Sequence, residues 1–507
     1  MSQDLTQTPH RALITASVMM ATIMQVLDTT IANVALPTMT GDLGASQDTI
    51  TWVLTSYIVA AAIMTPVTGW LSDRYGKREI LLVSIVGFTI MSVLCGLAWN
   101  LPSMVLFRLL QGVFGAAIVP LAQTFLLDIN PRERHGQAMA IYGAGIMVGP
   151  IIGPTLGGWL TDFDWRLVFF INLPVGIVAF LGCAAYLPRV EKRLRGFDFF
   201  GFAMLSLGVG ALQLMLDRGA EVDWFSAVEI WLELGLAIIG FWVFVIHTVT
   251  GEKPFIDPGI FTDRNFVTGL IFIFVVGVIL LASMALLPPM LSQLFNHSTT
   301  LTGLVMAPRG VGTMVSMILV GRLVRSVDAR VLVVAGLCLT AWSLQMMTTF
   351  TPQMDDHSII WSGIIQGLGL GLVFVPLTSV AFATLDARYR TDGTALFSLV
   401  RNIGSSIGIS IVTVLLTQNI QINHAELSGT LTPFNPNLNM VLPGAVHGDE
   451  TTLAVLNQLV NQQAAMISYI DDFKLMMLVT LAAIPLALFL RKPGQPQPGG
   501  APAAHME

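Results

Sequence analysis

The sequence predicts an all-α integral membrane protein with fourteen transmembrane helices, grouped as six, two and six. Three observations predict it. The 507 residues are 54% hydrophobic and only 11% charged, with a mean hydropathy of +0.74. No soluble domain needs that much apolar surface, so lipid must be the solvent. Fourteen apolar stretches reach spanning length. Finally, nineteen of the 25 Lys and Arg residues fall at the termini and in the even-numbered gaps between those stretches. Three lie on the opposite side (Arg166, Arg218 and Lys474), and three (Arg108, Arg309 and Arg401) lie inside or at the edge of apolar stretches. Cytoplasmic loops retain positive charge, so the span count is even and both termini are cytoplasmic.

The spans are read at 13–35, 50–71, 79–98, 104–126, 136–160, 167–187 and 198–216, then 227–247, 266–291, 302–321, 331–349, 358–384, 393–416 and 474–490. Backbone groups in lipid must be satisfied internally, so each is a helix. Span 13–35 is too long for a signal peptide and is read as retained. Short loops make sequence neighbours antiparallel neighbours. The segment 417–473 holds no Lys or Arg and is placed outside. Within it, Asn435-Pro436-Asn437 marks a turn, and apolar residues at near-helical spacing over 451–470 fit an amphipathic surface helix. Residues 493–507, rich in Pro, Gly and Ala, read as a disordered tail. Cys95, Cys183 and Cys338 fall within spans and read as small packing residues.

The chain repeats itself. Gly69-Trp70-Leu71 is echoed by Gly321-Arg322-Leu323, Gln111-Gly112 by Gln366-Gly367, and Leu127-Asp128 by Leu385-Asp386. The domains follow: 1–190 a first six-helix bundle, 191–255 two inserted helices, and 256–492 a second bundle carrying the outer segment 417–473. Parallel six-helix repeats suit a transporter that rocks about a midplane site.

Four local patterns carry chemistry. Leu27-Asp28-Thr29-Thr30-Ile31-Ala32-Asn33 puts an acid inside an apolar helix, where an unpartnered carboxylate is costly, so it pairs or stays protonated. Gln25, Thr29 and Asn33 add polar groups beside it. Arg108, with Gln111 one turn on, is a cation at membrane depth that must meet a carboxylate, a carbonyl or water. Gly69 to Arg78 turns the chain on the cytoplasmic side, with Asp73, Arg74 and Arg78 around a tight turn at Gly76. Gly145, Gly149, Gly153 and Gly157 share one helix face, open to close backbone approach. Gly158 follows them, and Pro150 and Pro154 interrupt the helical ladder.

In this order and at these positions, the four patterns resemble the major facilitator superfamily, in its fourteen-helix drug:proton antiporter branch of EmrB/QacA-like proteins. The resemblance covers essentially the whole chain. It implies proton-driven efflux of hydrophobic or amphiphilic compounds from a bacterial cytoplasmic membrane, with exchange as the mode of coupling. It implies proton coupling through Asp28 and Arg108. It also implies a conformational switch made of Gly69, Asp73, Arg74, Gly76, Arg78 and the Gly145–Gly158 stripe with its prolines. Substrate or cavity contacts are expected at Gln25, Thr29, Asn33, Gln111, Arg401 and Asn402. The long outer segment resembles the EmrB-like subgroup, which implies a periplasmic adaptor protein and an outer-membrane channel as partners. A dedicated exporter of one metabolite, such as a fatty acid, peptide or siderophore, is the alternative.

Other features are weaker. Glu229 and Glu233 lie four residues apart in one span, Arg309 follows Pro308, and Phe170-Ile171-Asn172-Leu173-Pro174 reads as a structural entry into a span. The eight His residues show no ligand spacing, so no metal is implied. No cofactor, nucleic acid, phosphate loop or nucleophile–base set is implied either. Small hydrophobic substrates, protons and membrane lipids are the partners left.

Overall fold

A computed structural model describes residues 10–189, 192, 196–324, 326–431 and 450–490. The first unit runs α1 (Arg11–Asp42), α2 (Trp52–Met64), α3 (Val67–Tyr75), α4 (Lys77–Gly96), α5 (Leu101–Gly115) and α6 (Ile118–Ile129). It continues with α7 (His135–Ile146), α8 (Val148–Thr161) and α9 (Asn172–Tyr186). α10 (Phe199–Arg218) and α11 (Val228–Thr250) follow. The second unit runs α12 (Arg264–Leu294), α13 (Thr299–Leu323), α14 (Ala329–Met347), α15 (Asp356–Ala383), α16 (Arg390–Thr430) and α17 (Glu450–Ala483). No strand occurs among the described residues.

Twelve of the described helices, counting joined segments once, are long and apolar enough to cross a membrane. The count reaches thirteen when α2 and α3, bent by 59° at Thr65-Pro66, form one span. The last expected span, 474–490, is the end of α17 followed by a short 3-10 helix, Ile484–Phe489. Several spans read as single helices are broken. The α5–α6 break follows Gly115. The α7–α8 break at Met147 precedes Pro150, whose ring nitrogen donates no hydrogen bond to the preceding turn.

The segment 417–473 departs most from expectation. α16 continues to Thr430 and α17 begins at Glu450, so 451–470 is the first part of the helix that enters the last span. An unbroken run of helix formers explains it: from 450 to 483 there is neither Gly nor Pro. Asn423 Nδ2 donates to Ser468 Oγ at 3.0 Å, tying the two extensions together. The Asn435-Pro436-Asn437 turn and the 493–507 tail lie outside the described residues.

Glycines in the two parts of the chain share a packing detail. A Cβ added to Gly112 would strike Tyr57 O and Ala61 N, and one added to Gly367 would strike Arg309 O and Thr313 N. Each pair therefore packs backbone to backbone where its glycine falls. α11 carries a broad exposed apolar face, with Trp231, Leu232, Ile238, Trp242 and Val249 all exposed, and meets α10 where Gly240 lies on Gly208. Cys95 and Cys183 are buried as packing residues, whereas Cys338 is exposed on the outside of the bundle.

Candidate functional site: a buried acid held by an arginine and two amides

Asp28 lies midway along α1, and its side chain is 0% exposed. Arg108 of α5, also 0% exposed, donates from Nη1 to Asp28 Oδ2 at 2.7 Å. Gln111, one turn further along α5, donates from Nε2 to Asp28 Oδ1 at 3.0 Å and accepts from Arg108 Nη1 at 2.7 Å. Asn172, at the start of α9, donates to the same Oδ1 at 2.6 Å. One carboxylate thus receives three donors from two other helices. Ionised hydrogen bonds of this kind are the strong ones, and they offset the cost of burying the charges.

The arginine is fixed on its other sides. Its Nε donates to Val53 O at 3.1 Å, at the start of α2. Its guanidinium carbon lies 4.5 Å from the centre of the Tyr57 ring and 5.7 Å from that of Phe169. Those faces favour a cation where water is absent. Ser92 of α4 accepts from Asn172 at 2.9 Å and donates to Phe169 O at 2.9 Å. Arg108 Nη2 and Asn172 Oδ1 are buried without a hydrogen-bond partner.

The other expected residues fall as follows. Gln25 is part-buried, and its Nε2 donates to Tyr57 Oη at 3.3 Å, one contact from Arg108. Thr29 turns its hydroxyl to Val26 O at 2.9 Å, and Asn33 is exposed, so neither joins the Asp28 network. Arg401 is half-buried and Asn402 exposed on α16, and neither is hydrogen-bonded to that network. Glu229 is paired with Arg218 at 3.0 Å. Arg309 is buried on α13, and its Nη2 donates to Ser283 Oγ at 2.9 Å.

The glycine stripe explains how α1 is held. Cβ atoms added at Gly145, Gly149, Gly153 and Gly157 would meet Met19, Val26, Thr30 and Ile31, four successive contacts flanking Asp28 on its own helix. Gly158 is buried, and its carbonyl accepts from Asp162 N at 3.1 Å. Pro154 lies within α8 and Pro150 in its first turn.

At the turn between α3 and α4, Gly76 adopts φ +105°, a conformation that favours glycine. Arg78 donates to Ala184 O at 2.6 Å, Arg74 is exposed, and Asp73 is half-buried. A side chain at Gly69 would strike Asp392 of α16. Lys77 meets Asp128 Oδ2 at 2.7 Å, and Arg390 of the second unit meets Asp128 Oδ1 at 2.9 Å. Thr124 and Thr394 share a hydrogen bond of 2.8 Å across the same junction.

Sequence reasoning missed Asn172, Tyr57 and the Lys77–Asp128–Arg390 cluster. Asn172 did carry a signal, as a polar residue inside an apolar span. Asp128 stood only as a repeat marker, and nothing in the sequence said which cations it meets. Among the described residues no group of three or more His, Cys, Asp or Glu side chains could hold a metal ion.

Residues 18–409 match the family model described as Major Facilitator Superfamily. The chain belongs to that superfamily. It is 37% identical over 428 residues to the multidrug export protein EmrB of Haemophilus influenzae, covering 84% of each chain. It is 34% identical over 488 residues to EmrB of Escherichia coli K12, covering 95% of each. It is also 33% identical over 499 residues to the fatty acid resistance protein FarB of Neisseria gonorrhoeae, covering 96% of this chain and 98% of FarB. These place it in the EmrB-like branch of the superfamily, as a multi-pass bacterial inner-membrane protein and a secondary transporter rather than an enzyme. The fold is shared with the human organic anion transporter MFSD10 (TM-score 0.60, 14% identity, 93% of this chain and 100% of that one). It is shared equally with the proton:xylose symporter XylE (TM-score 0.60, 13% identity, 95% and 99%).

Proposed function

We propose that this superfamily member exports hydrophobic and amphiphilic compounds across the cytoplasmic membrane in exchange for protons, by alternating access. The observation that carries the reading is the Asp28–Arg108 pair, fully buried and held by Gln111 and Asn172. A carboxylate so placed has two stable conditions. Ionised, it neutralises Arg108. Protonated, it frees the guanidinium and leaves a net positive charge inside the first unit, which a change of packing must accommodate. Protonation from outside then releases cargo, and deprotonation to the cytoplasm restores affinity. Proton and cargo are bound alternately, so the two units rock only when one of them is bound.

Asp128 supplies the cytoplasmic clasp. It joins Lys77 of the first unit to Arg390 of the second, and Gly69 admits Asp392 beside it. In this reading Gly69, Asp73, Arg74, Gly76 and Arg78 form the switch that opens as cargo enters from inside. Of the expected cavity residues, Gln111 meets Arg108 directly and Gln25 reaches it through Tyr57.

The topology that supports the cycle has fourteen spans and both termini cytoplasmic, with α10 and α11 inserted between bundles 1–190 and 256–492. The paired extensions of α16 and α17 give the outer segment a rigid surface for a periplasmic adaptor that leads to an outer-membrane channel. The cargo class follows the relatives' names, multidrug export for EmrB and fatty acid resistance for FarB. FarB aligns over nearly its full length. That favours a second reading, a dedicated exporter of carboxylate-bearing lipids. A dye and fatty-acid panel in proteoliposomes under an imposed pH gradient separates the two: broad uptake supports the first reading, and fatty acid alone the second.

A further inference from the structure

Asp472 stands apart from the coupling site. It lies on α17 in the outer segment, just before the last expected span, and is 1% exposed. Its helix neighbours Met466, Tyr469, Phe473 and Met476 belong to one apolar cluster with Leu291 of α12 and Met347 of α14. Phe473 meets Phe350 edge-on, ring centres 6.1 Å apart. The Oδ2 of Asp472 is buried without a hydrogen-bond partner. Of the elements packed on α17, α12 carries only Arg264 and α14 only Arg330 as charged residues, both at the cytoplasmic ends. α16 brings His424, which binds Asn457, and Glu426, both further out along the extension, and Arg401, Asp392 and Arg390 towards the cytoplasm. On α17 itself Asp471 and Lys474 are exposed, and Tyr469 is buried in the cluster.

The geometry points to Asp472 as a second proton-binding group, loaded from the outer face, that sets how tightly the base of the α16–α17 extension packs on the second unit. Neutral, the acid fits an apolar cluster. Ionised, it is an anion in that cluster with only the like charge of Asp471 acting on it. Burial, with Asp471 adding to it, pushes the carboxyl from 3.8 up to about 7. Because the packed arrangement favours the protonated form, its support is complete below the ordinary carboxylate range. That support is lost progressively as pH rises towards about 7, and above it the packed base carries the full cost of a buried anion. The base is therefore tight in an acidic outer compartment, when the inward proton gradient is steepest, and looser in an alkaline one.

Hydrogen exchange of the full-length transporter in nanodiscs, corrected for intrinsic exchange rates, tests this at pH values about one unit either side of that midpoint. Peptides spanning 466–476 should exchange up to about tenfold faster at the higher pH, following the ionised fraction. Asp472→Asn should abolish that response. Asp28→Asn should retain it, which separates this inference from the coupling reading. Asp471→Asn, which leaves the cluster intact, removes the like charge that raises the Asp472 carboxyl, so the midpoint should move to lower pH. An unmoved midpoint in Asp471→Asn, or a response that survives in Asp472→Asn, overturns the inference.

Discussion

Arg108 and Asp28 stand 2.7 Å apart, Nη1 to Oδ2, and neither side chain is exposed at all. They sit on helices eighty residues apart in the sequence, so the pair exists only when α1 and α5 pack correctly. Removing one partner leaves a buried, uncompensated charge, which costs about 3–5 kcal/mol. Arg108→Gln should therefore lower thermal stability in detergent, and Arg108→Gln with Asp28→Asn should recover part of the loss. Thermal unfolding of the two single variants and the double variant measures the coupling. Additive losses would argue against a direct pair.

Asn172 should behave as part of the coupling site. It supplies one of two amide donors to Asp28 Oδ1, at 2.6 Å. A hydrogen bond to a charged group contributes about 1.5–3 kcal/mol, so Asn172→Ala should slow gradient-driven export by about tenfold or more. Downhill cargo exchange without a gradient should change less. Equal losses in both assays would mark Asn172 as a packing residue.

The clasp at Asp128 should hold the cytoplasmic side closed. Arg390→Ala removes the only ion pair among those described that joins Asp128 to the second unit. Spin labels on the cytoplasmic ends of α6 and α16 should then report a longer mean distance. Lys77→Ala, which breaks a contact within the first unit, should lengthen it less.

The glycine stripe should tolerate no added carbon beside Asp28. A Cβ at Gly149 would lie 2.8 Å from Val26 Cγ1 and 3.2 Å from Leu27 N. Gly149→Ala should cost about 1–3 kcal/mol through forced separation of α8 from α1. Gly41→Ala, with nothing within 4 Å, is the control and should leave stability unchanged. Equal effects at both positions would remove close packing as the role of the stripe.

The outer extension should matter more to the cell than to the isolated transporter. Deleting 430–465 should lower whole-cell efflux more than transport in vesicles, if the extension docks an adaptor. Equal losses in the two assays would assign it to folding.

Much of this was legible in the residues. Asp28 and Arg108 announced themselves as charges in apolar spans, and the four-residue spacing of the glycines gave the close-packing face of α8, but not its partner α1. What was not legible was long-range. Asn172 looked like a span entry, because nothing local says that its amide reaches a carboxylate 144 residues earlier. Thr29 and Asn33 shared the polar stretch of Asp28, but helix geometry turns Thr29 to its own backbone and leaves Asn33 on the exposed side. The low hydropathy of 417–430 and 451–470 hid that α16 continues to Thr430 and that 451–470, expected as a separate surface helix, is continuous with the last span.

Transport in proteoliposomes under an imposed pH gradient, with Asp28→Asn beside the native chain, tests the central claim most directly. The native transporter should accumulate cargo while the gradient lasts and stop when it is collapsed, and Asp28→Asn should show no gradient-driven accumulation at equal protein content. Native-level accumulation by Asp28→Asn would contradict the account.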